Sequence, residues 1–176
     1  GSEPSARTSL HDAVRLGVRL EEAEWRAQNR ELADARRIDC FLQNTNTVRG
    51  SRQEIARMVT QLIRNAAEAL PHGGIITIST ESRSGQALLI VSDDGTGISI
   101  ENRARIFEPF FTTRAGHQGL GLSIVQGLVQ RMGATVEIRS DEGVGTTVTI
   151  SFPEEASVDA KANNDQAARD PESKAV

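Results

Sequence analysis

Apolar residues recur every three or four positions in two stretches of the chain, and this spacing predicts two amphipathic helices. The first runs from about residue 9 into the low thirties, with apolar positions at Leu10, Val14, Val18 and Trp25. The second begins at Ser51, which forms a capping-box pattern with Glu54. Its apolar stripe comprises Ile55, Val59, Leu62, Ala66 and Leu70. Pro71 then ends the helix, because proline cannot continue the hydrogen-bond ladder.

Short apolar runs predict five strands around these helices, at residues 38–43, 75–80, 87–92, 135–140 and 146–152. Residues 44–50 are polar and are interpreted as a loop. A short helix is expected near residues 99–106, and a longer one from about Gly119 to Met132. Several strands follow one another without a helix between them, which excludes strict βαβ alternation. The pattern therefore predicts a mixed α/β fold.

The length of 176 residues fits one domain. Residues 1–8 are interpreted as a tag or linker, because Gly1 and Ser2 are typical of a cloning remnant. We expect the sequence to be a piece of a larger protein, with its folded part at residues 9–153. Residues 154–176 contain almost no large apolar side chain and are expected to be a disordered polar tail.

Charge and cysteine content narrow the function. The net charge of −4 argues against nucleic acid as a partner, because phosphate contacts need a basic surface. Cys40 is the only cysteine, so no intrachain disulfide is possible, and it is interpreted as a small hydrophobe within a strand. No apolar run approaches the length of a membrane span. These features lead us to expect a cytoplasmic localisation.

Several familiar sites are excluded by their motifs. The chain has no P-loop sequence and no zinc-spaced set of Cys and His. Gly119 and Gly121 lack the third glycine of a dinucleotide fingerprint, since Ile124 stands in its place. The sequence contains no nucleophile-elbow motif, which argues against a Ser-His-Asp hydrolase.

Two clusters carry polar groups suited to a nucleotide. Asn65 shares a helical face with Gln61 and Glu68, and its side-chain oxygen is a hard ligand suited to Mg²⁺. Taken alone, an Asn at the border of a buried face more often forms a local hydrogen bond. Asp93 begins the sequence "DDGTG" at the end of a strand, where its carboxylate could accept a hydrogen bond from the amine of adenine. A tight, solvated turn is the competing interpretation of this segment.

Two further clusters follow along the chain. The sequence "FEPFFTTR", residues 107–114, would anchor a mobile lid from which Arg114 reaches a phosphate. Ordinary core packing explains its aromatic residues equally well. Residues 116–123, "GHQGLGLS", place glycines at the start of a helix, where backbone N–H groups favour an anion.

The segments "NAAEAL", "DDGTGI", "FEPFFTT" and "GLGLSIV", in this order, resemble the N, G1, F and G2 boxes of sensor histidine kinases. The resemblance extends from Ser9 to Pro153, and it identifies the chain as a member of the GHKL ATPase superfamily. It implies a Bergerat fold, an α/β two-layer sandwich with a mixed sheet of about five strands covered on one face by three helices. It also implies ATP and Mg²⁺ as cofactors.

The resemblance implies a role for each matching residue. Asn65 would bind Mg²⁺ and act in catalysis, and Asp93 would bind the adenine amine. The residues that would shape the base pocket or hold the phosphates are Gly95, Gly97, Gly119, Leu120 and Gly121. Arg114 would contact phosphate and act in catalysis. A threonine near adenine is implied at position 146 or 147, and we assign Thr147.

The implied activity is transfer of the ATP γ-phosphoryl group to a histidine on a separate dimerisation and phosphotransfer domain. The downstream partner would be a response regulator. The isolated domain is expected to be a monomer and the parent protein a homodimer. His11 is similar to the start of some acceptor motifs, but it falls inside the predicted first helix and is interpreted as a surface residue.

Two alternatives remain open at this stage. The chain departs from the family pattern at Gln61, where the family commonly has Asn. The Gln61 side chain is longer than Asn by one methylene, so its amide lies at a different position. This departure is the only hint of a catalytically silent, nucleotide-sensing docking module. The second alternative is another GHKL ATPase, such as an anti-sigma serine kinase or a chaperone-like ATPase, against which "FEPFFTT" argues.

Overall fold

A computed structural model describes residues 6–28, 35–113 and 118–153. In chain order the elements are β1 (Arg7–Ser9), α1 (Leu10–Gln28), β2 (Arg36–Leu42), β3 (Thr47–Arg49), α2 (Arg52–Glu68), β4 (Gly74–Arg83), β5 (Gln86–Asp93), α3 (Ile100–Arg103), α4 (Gly121–Arg131), β6 (Thr135–Asp141) and β7 (Gly145–Pro153). The predicted disordered tail, residues 154–176, lies outside the described residues.

Five strands form one mixed sheet in the order β2-β4-β5-β7-β6. β2 and β4 are parallel, and the other neighbouring strands are antiparallel. Because successive side chains of a strand point to opposite faces, one face carries the buried residues. These include Ile76 and Ile78 of β4, Leu89 and Val91 of β5, and Ile150 and Phe152 of β7. The predicted mixed sheet is therefore confirmed.

Helices α1, α2 and α4 pack on this apolar face and complete two layers. α2 contributes the largest buried stripe, which includes Ile55, Val59 and Leu62. Its predicted capping box is present, since the Ser51 side chain accepts from the Glu54 backbone N–H and the Glu54 side chain accepts from that of Ser51. None of the described helices is long and apolar enough to cross a membrane.

A second sheet of two strands corrects two predictions. Residues 44–50 were interpreted as a loop, yet Thr47–Arg49 forms β3 and pairs with β1. Arg7 and Thr8 therefore belong to the folded part rather than to a linker. These strands have almost no hydrophobic pattern, because only Val48 is fully buried. β1 leads into α1 and β3 precedes α2, so packing of the two helices brings the strands together.

Two smaller predictions also change. Cys40 lies in β2, as expected, but its side chain is exposed. His11 was expected on the helix surface, whereas it is half-buried in α1 and its Nδ1 has no hydrogen-bond partner within the described part of the chain.

Two helical glycines give opposite predictions for the same substitution. A Cβ atom at Gly17 of α1 would lie 2.7 Å from Val59 Cβ and 2.8 Å from the Ala56 carbonyl oxygen. We expect Gly17→Ala to force α1 away from α2 and lower the free energy of unfolding by about 1–3 kcal/mol. Gly127 of α4 has open space at that position. Gly127→Ala should raise the free energy of unfolding by about 0.5–1 kcal/mol, because alanine loses less backbone entropy.

Urea denaturation followed by circular dichroism measures both changes. Equal effects of the two substitutions would contradict the close packing of α1 on α2 at Gly17.

Candidate functional site

A cavity of about 620 Å³ lies between α2, the sheet and the residues around α3 and before α4. Its polar lining consists of Gln61, Arg64, Asn65, Glu68, Asp93, Asn102, Thr112, Thr113, Gln118 and Thr146. Its apolar lining includes Leu62, Val91, Ile98, Ile106, Phe111, Ile138 and Val148. A cleft of this volume with a mixed apolar and polar lining suits a small molecule the size of a nucleotide.

Asn65 stands where α2 meets the start of α4. A Cβ atom at Gly121 would lie 3.2 Å from both Asn65 Oδ1 and Gln61 Oε1, so the bare Gly121 backbone allows close approach of the two amides. Asn65 Nδ2 is buried and has no hydrogen-bond partner in residues 6–28, 35–113 and 118–153. A buried donor without an acceptor costs free energy, so this atom indicates a place for a ligand acceptor.

The start of α4 adds backbone donors beside Asn65. The helix begins at Gly121, two residues later than predicted, and Leu120 supplies no side-chain cap. The first N–H groups of a helix lack intrahelical acceptors, and the helix dipole is positive there. Gly119 has a φ of 66°, which glycine adopts without strain. Gly119, Leu120 and Gly121 thus line the cavity together, at its Asn65 end.

Asp93 ends β5 in the same cavity, and the loop after it is bonded to the end of α2. The Gly95 N–H donates to Asp93 Oδ1 at 2.9 Å, and the Thr96 N–H donates to the Ala69 carbonyl at 3.0 Å. Gly97 has a φ of 66°, and a Cβ atom there would collide with the Asp141 carbonyl. Asp94 accepts from the Ile75 N–H at 2.8 Å, which anchors the loop to β4. The glycines therefore position Asp93.

The structure corrects the assignment of Thr147. Thr146 lines the cavity and pairs with Asp93 across β5 and β7. Thr147 points to the opposite face of the sheet, where its hydroxyl lies 2.9 Å from that of Ser92. The alternation of apolar residues along β7 distinguishes Thr146 from Thr147 in the sequence. Val148, Ile150 and Phe152 are the buried positions of β7, so position 146 shares their face.

Ser140 of β6 contacts two residues of the cavity lining, Ile98 and Thr146, and no pattern in the sequence pointed to it. Its hydroxyl accepts from the Ile98 N–H at 2.8 Å and lies 2.8 Å from the Thr146 hydroxyl. Serines are common in strands and turns, so neither residue type nor spacing distinguished this one. Its importance comes from contacts with residues far apart in the chain.

Arg64 lies at the cavity rim in a network centred on a buried carboxylate. Its Nε is 3.0 Å from Oε2 of Glu21, a side chain that is only 3% exposed, and its Nη2 is 2.5 Å from Oε2 of Glu24. Trp25 Nε1 also donates to Glu21 at 3.2 Å. Burial raises the pKa of Glu21, although its bond to Arg64 acts in the other direction. Through this network, α1 fixes the residue next to Asn65.

The aromatic segment is divided between the cavity and the surface. Phe111 lines the cavity and lies under the guanidinium of Arg105, 4.3 Å from ring centroid to Cζ. Phe110 is exposed, and its φ of 68° is unusual for a residue other than glycine. Arg114 and His117, which follow this segment, lie outside the described residues.

The two ends of the cavity suit the two ends of a nucleotide that carries a metal ion on its phosphates. Asp93 provides an acceptor suited to an amine at one end, where Thr146 is its neighbour. At the other end, Asn65 Nδ2 has no acceptor within the described part of the chain, and phosphate oxygens would supply one. The same amide offers an oxygen, which is the ligand type that Mg²⁺ prefers.

Comparison with known proteins identifies the family of this chain. Residues 50–156 match the family described as histidine kinase-, DNA gyrase B- and HSP90-like ATPases. The sensor protein DivL of Caulobacter vibrioides is 33% identical over 143 residues, covering 78% of this chain and 18% of DivL. The sensor histidine kinase ZraS of Escherichia coli is 38% identical over 100 residues, covering 56% of this chain and 21% of ZraS.

Solved structures place the fold in the same family. The catalytic domain of histidine kinase ThkA is 28% identical and superposes with a TM-score of 0.69, covering 86% of this chain and 97% of that domain. The chain spans about a fifth of the length of the curated relatives, 18% of DivL and 21% of ZraS. The chain therefore belongs to the family of histidine kinase-, DNA gyrase B- and HSP90-like ATPases and has the ATP-binding catalytic fold of sensor histidine kinases.

Proposed function

We propose that this chain donates the γ-phosphoryl group of bound ATP to a histidine on a separate dimerisation domain of its parent protein. One observation carries the proposal. A single cavity combines the Asp93 carboxylate with the Asn65 amide beside the start of α4, and the Nδ2 atom of this amide has no partner among the residues that the structure describes. These groups match the two chemically different ends of ATP, an amine-bearing base and a triphosphate.

Each end of the cavity has its own role. Asp93 accepts a hydrogen bond from the adenine amine, and Gly95 and Gly97 hold the loop that positions this carboxylate. Thr146 takes the place first assigned to Thr147. At the other end, Asn65 binds Mg²⁺ through its oxygen. The groups that hold the phosphates are the backbone of Gly119, Leu120 and Gly121 and the side chain of Arg114.

The reaction requires no strong general base from this chain, because a neutral imidazole is already a nucleophile. The lone pair of a neutral imidazole nitrogen forms a P–N bond, the bond from the γ-phosphorus to the β–γ bridging oxygen breaks, and ADP leaves with that electron pair. The proton on the other imidazole nitrogen passes to solvent. Mg²⁺, when bound, neutralises charge on the phosphates. The chain contributes orientation and fixed dipoles.

The partners follow from this activity. The acceptor histidine belongs to a dimerisation domain of the parent protein, and a response regulator receives the phosphoryl group afterwards. The dimer contacts lie on that acceptor domain, so this domain alone is a monomer and the parent is a homodimer. The cytoplasm is the compartment that supplies ATP to it.

The test combines this chain with a purified histidine-bearing domain of a matched parent protein and ATP labelled at the γ-phosphorus. We expect label on the acceptor domain that is labile in acid and stable in base, as a phosphorus–nitrogen bond requires. ATP binding without such label would replace the kinase by a nucleotide-sensing docking module. Label on a serine would indicate a different GHKL enzyme.

A further inference from the structure

Ser140 carries a nearly buried hydroxyl group that contacts two residues of the cavity lining, Ile98 and Thr146. It lies on β6, is 7% exposed, and forms a cross-strand pair with Thr146 of β7. Three polar groups surround its Oγ: the Ile98 N–H at 2.8 Å, the Gly145 carbonyl oxygen at 3.0 Å and the Thr146 hydroxyl at 2.8 Å. One side chain therefore joins the loop after Asp93 to the strand that carries Thr146.

The capacity of a hydroxyl group fixes the direction of each bond. A serine hydroxyl has one proton to donate and two lone pairs that accept. The Ile98 N–H can only donate, so it uses one lone pair of Ser140. The Gly145 carbonyl can only accept, so it takes the proton of Ser140. The second lone pair remains for Thr146, whose hydroxyl must then donate to Ser140.

The opposite direction between the two hydroxyls is unfavourable. If Ser140 donated to Thr146, its oxygen and the Gly145 carbonyl oxygen would stand 3.0 Å apart with no proton between them. A buried polar contact without its hydrogen bond is costly, whereas the first arrangement satisfies all three partners.

The consequence is that Thr146 presents only lone pairs to the cavity. Asp93 is its register partner on β5, on the same face of the sheet, and a carboxylate also only accepts. The two strands thus offer two neighbouring acceptors at the base end of the cavity. The exocyclic amine of a 6-aminopurine carries two hydrogens that can be shared between two acceptors. A 6-oxopurine has an acceptor at that position and finds no donor.

We propose that Ser140 is a positioning residue that sets the selectivity for ATP over GTP by holding Thr146 as an acceptor. The inference rests on the proposed nucleotide function of the cavity and adds the residue that controls which base is accepted. Without Ser140, the Thr146 hydroxyl can rotate and donate to a 6-oxo group. Selectivity then depends on Asp93 alone.

The experiment measures ATP and GTP dissociation constants by calorimetry for the chain, Ser140→Ala, Thr146→Val and the double variant. We expect Ser140→Ala to lower the ATP-to-GTP affinity ratio about tenfold, the effect of one hydrogen bond. Thr146→Val should lower the ratio by a similar factor. The double variant should show no further loss, because Ser140 acts through Thr146.

A matched control lies on the other face of the sheet. Ser92→Ala removes a hydroxyl from the Ser92–Thr147 pair, which is one residue away in register and outside the cavity. Its affinity ratio should equal that of the unmodified chain. If Ser140→Ala does not fold, Ser140→Cys keeps the shape of the side chain with a somewhat larger atom and replaces the strong acceptor by a weak one. The same fall in the affinity ratio is then expected.

Three results separate the possible failures. An equal loss of ATP and GTP affinity in Ser140→Ala would show a purely structural role and overturn the inference. Additive losses in the double variant would also overturn it, because Ser140 would then act independently of Thr146. Failure of the unmodified, folded chain to bind either nucleotide would instead contradict the proposed function itself.

Discussion

Replacing Asp93 by Asn is expected to weaken ATP binding about 10- to 100-fold, the cost of losing a hydrogen bond to a charged acceptor. Asn keeps one acceptor oxygen, but it loses the charge and adds an amide donor that faces the amine of the base. In the unmodified chain the Gly95 N–H donates a hydrogen bond to Asp93 Oδ1. In the variant this N–H competes with the adenine amine for the one remaining oxygen. Calorimetry with ATP measures the change, and thermal unfolding establishes that the variant is folded.

Asp94→Asn is the matched control for this prediction. It removes the same charge at the next position, but an Asn oxygen can still accept from the Ile75 N–H, so the loop keeps its anchor. We expect ATP affinity within about twofold of the unmodified chain, because long-range charge effects are screened in salt. Equal losses in both variants would contradict a specific role of Asp93 and point to a general effect of charge.

Replacing Asn65 by Ala is expected to reduce phosphoryl transfer to the acceptor histidine by about 100-fold or more, comparable to removing a preorganised stabilising group from an active site. The substitution removes the proposed Mg²⁺ ligand and the donor Nδ2 next to Gly121. ATP affinity measured without Mg²⁺ should fall about tenfold, because the hydrogen bond from Nδ2 to a phosphate oxygen is lost while the base end of the cavity is intact. The fall should be larger with Mg²⁺, because the metal ligand is lost as well. The readouts are the initial rate of histidine labelling and calorimetry with and without Mg²⁺.

Gln53→Ala supplies the control on the same helix. Gln53 carries the same amide group, but it is exposed in the first turn of α2, far along the helix from Asn65. Its labelling rate should match that of the unmodified chain. A normal labelling rate in Asn65→Ala would remove Asn65 from catalysis. An equal loss of ATP affinity with and without Mg²⁺ would show that its role is not tied to the metal ion.

Local patterns predicted most of the fold because burial leaves a periodic trace in the sequence. The apolar stripe of α2 and its capping box are both present as predicted. The alternation of Val148, Ile150 and Phe152 likewise marks the face of β7 that the helices cover. Applying that alternation one step earlier selects Thr146 rather than Thr147, so this correction was within reach of the sequence.

The small sheet of β1 and β3 left no such trace. Its two strands are three residues long, mostly polar, and separated by α1 and β2. Strands this short have no measurable periodicity, and their pairing depends on how α1 lies against α2. The two helices approach closely at Gly17, where a Cβ atom would collide with Val59. A single glycine in a helical pattern does not reveal such a close approach.

The chemical groups of the site can be identified from the amino-acid sequence: an amide on α2, a carboxylate at the end of β5 and glycines before α4. How the hydrogen bonds of these groups are satisfied depends on the packing of the folded chain. Asn65 Nδ2 is buried where α4 meets α2 at Gly121, and among the described residues it has no hydrogen-bond partner. Thr146 is an acceptor because Ser140 already holds the Ile98 N–H and the Gly145 carbonyl. The direction of a hydrogen bond depends on every neighbour of an atom, and packing brings those neighbours from distant parts of the chain.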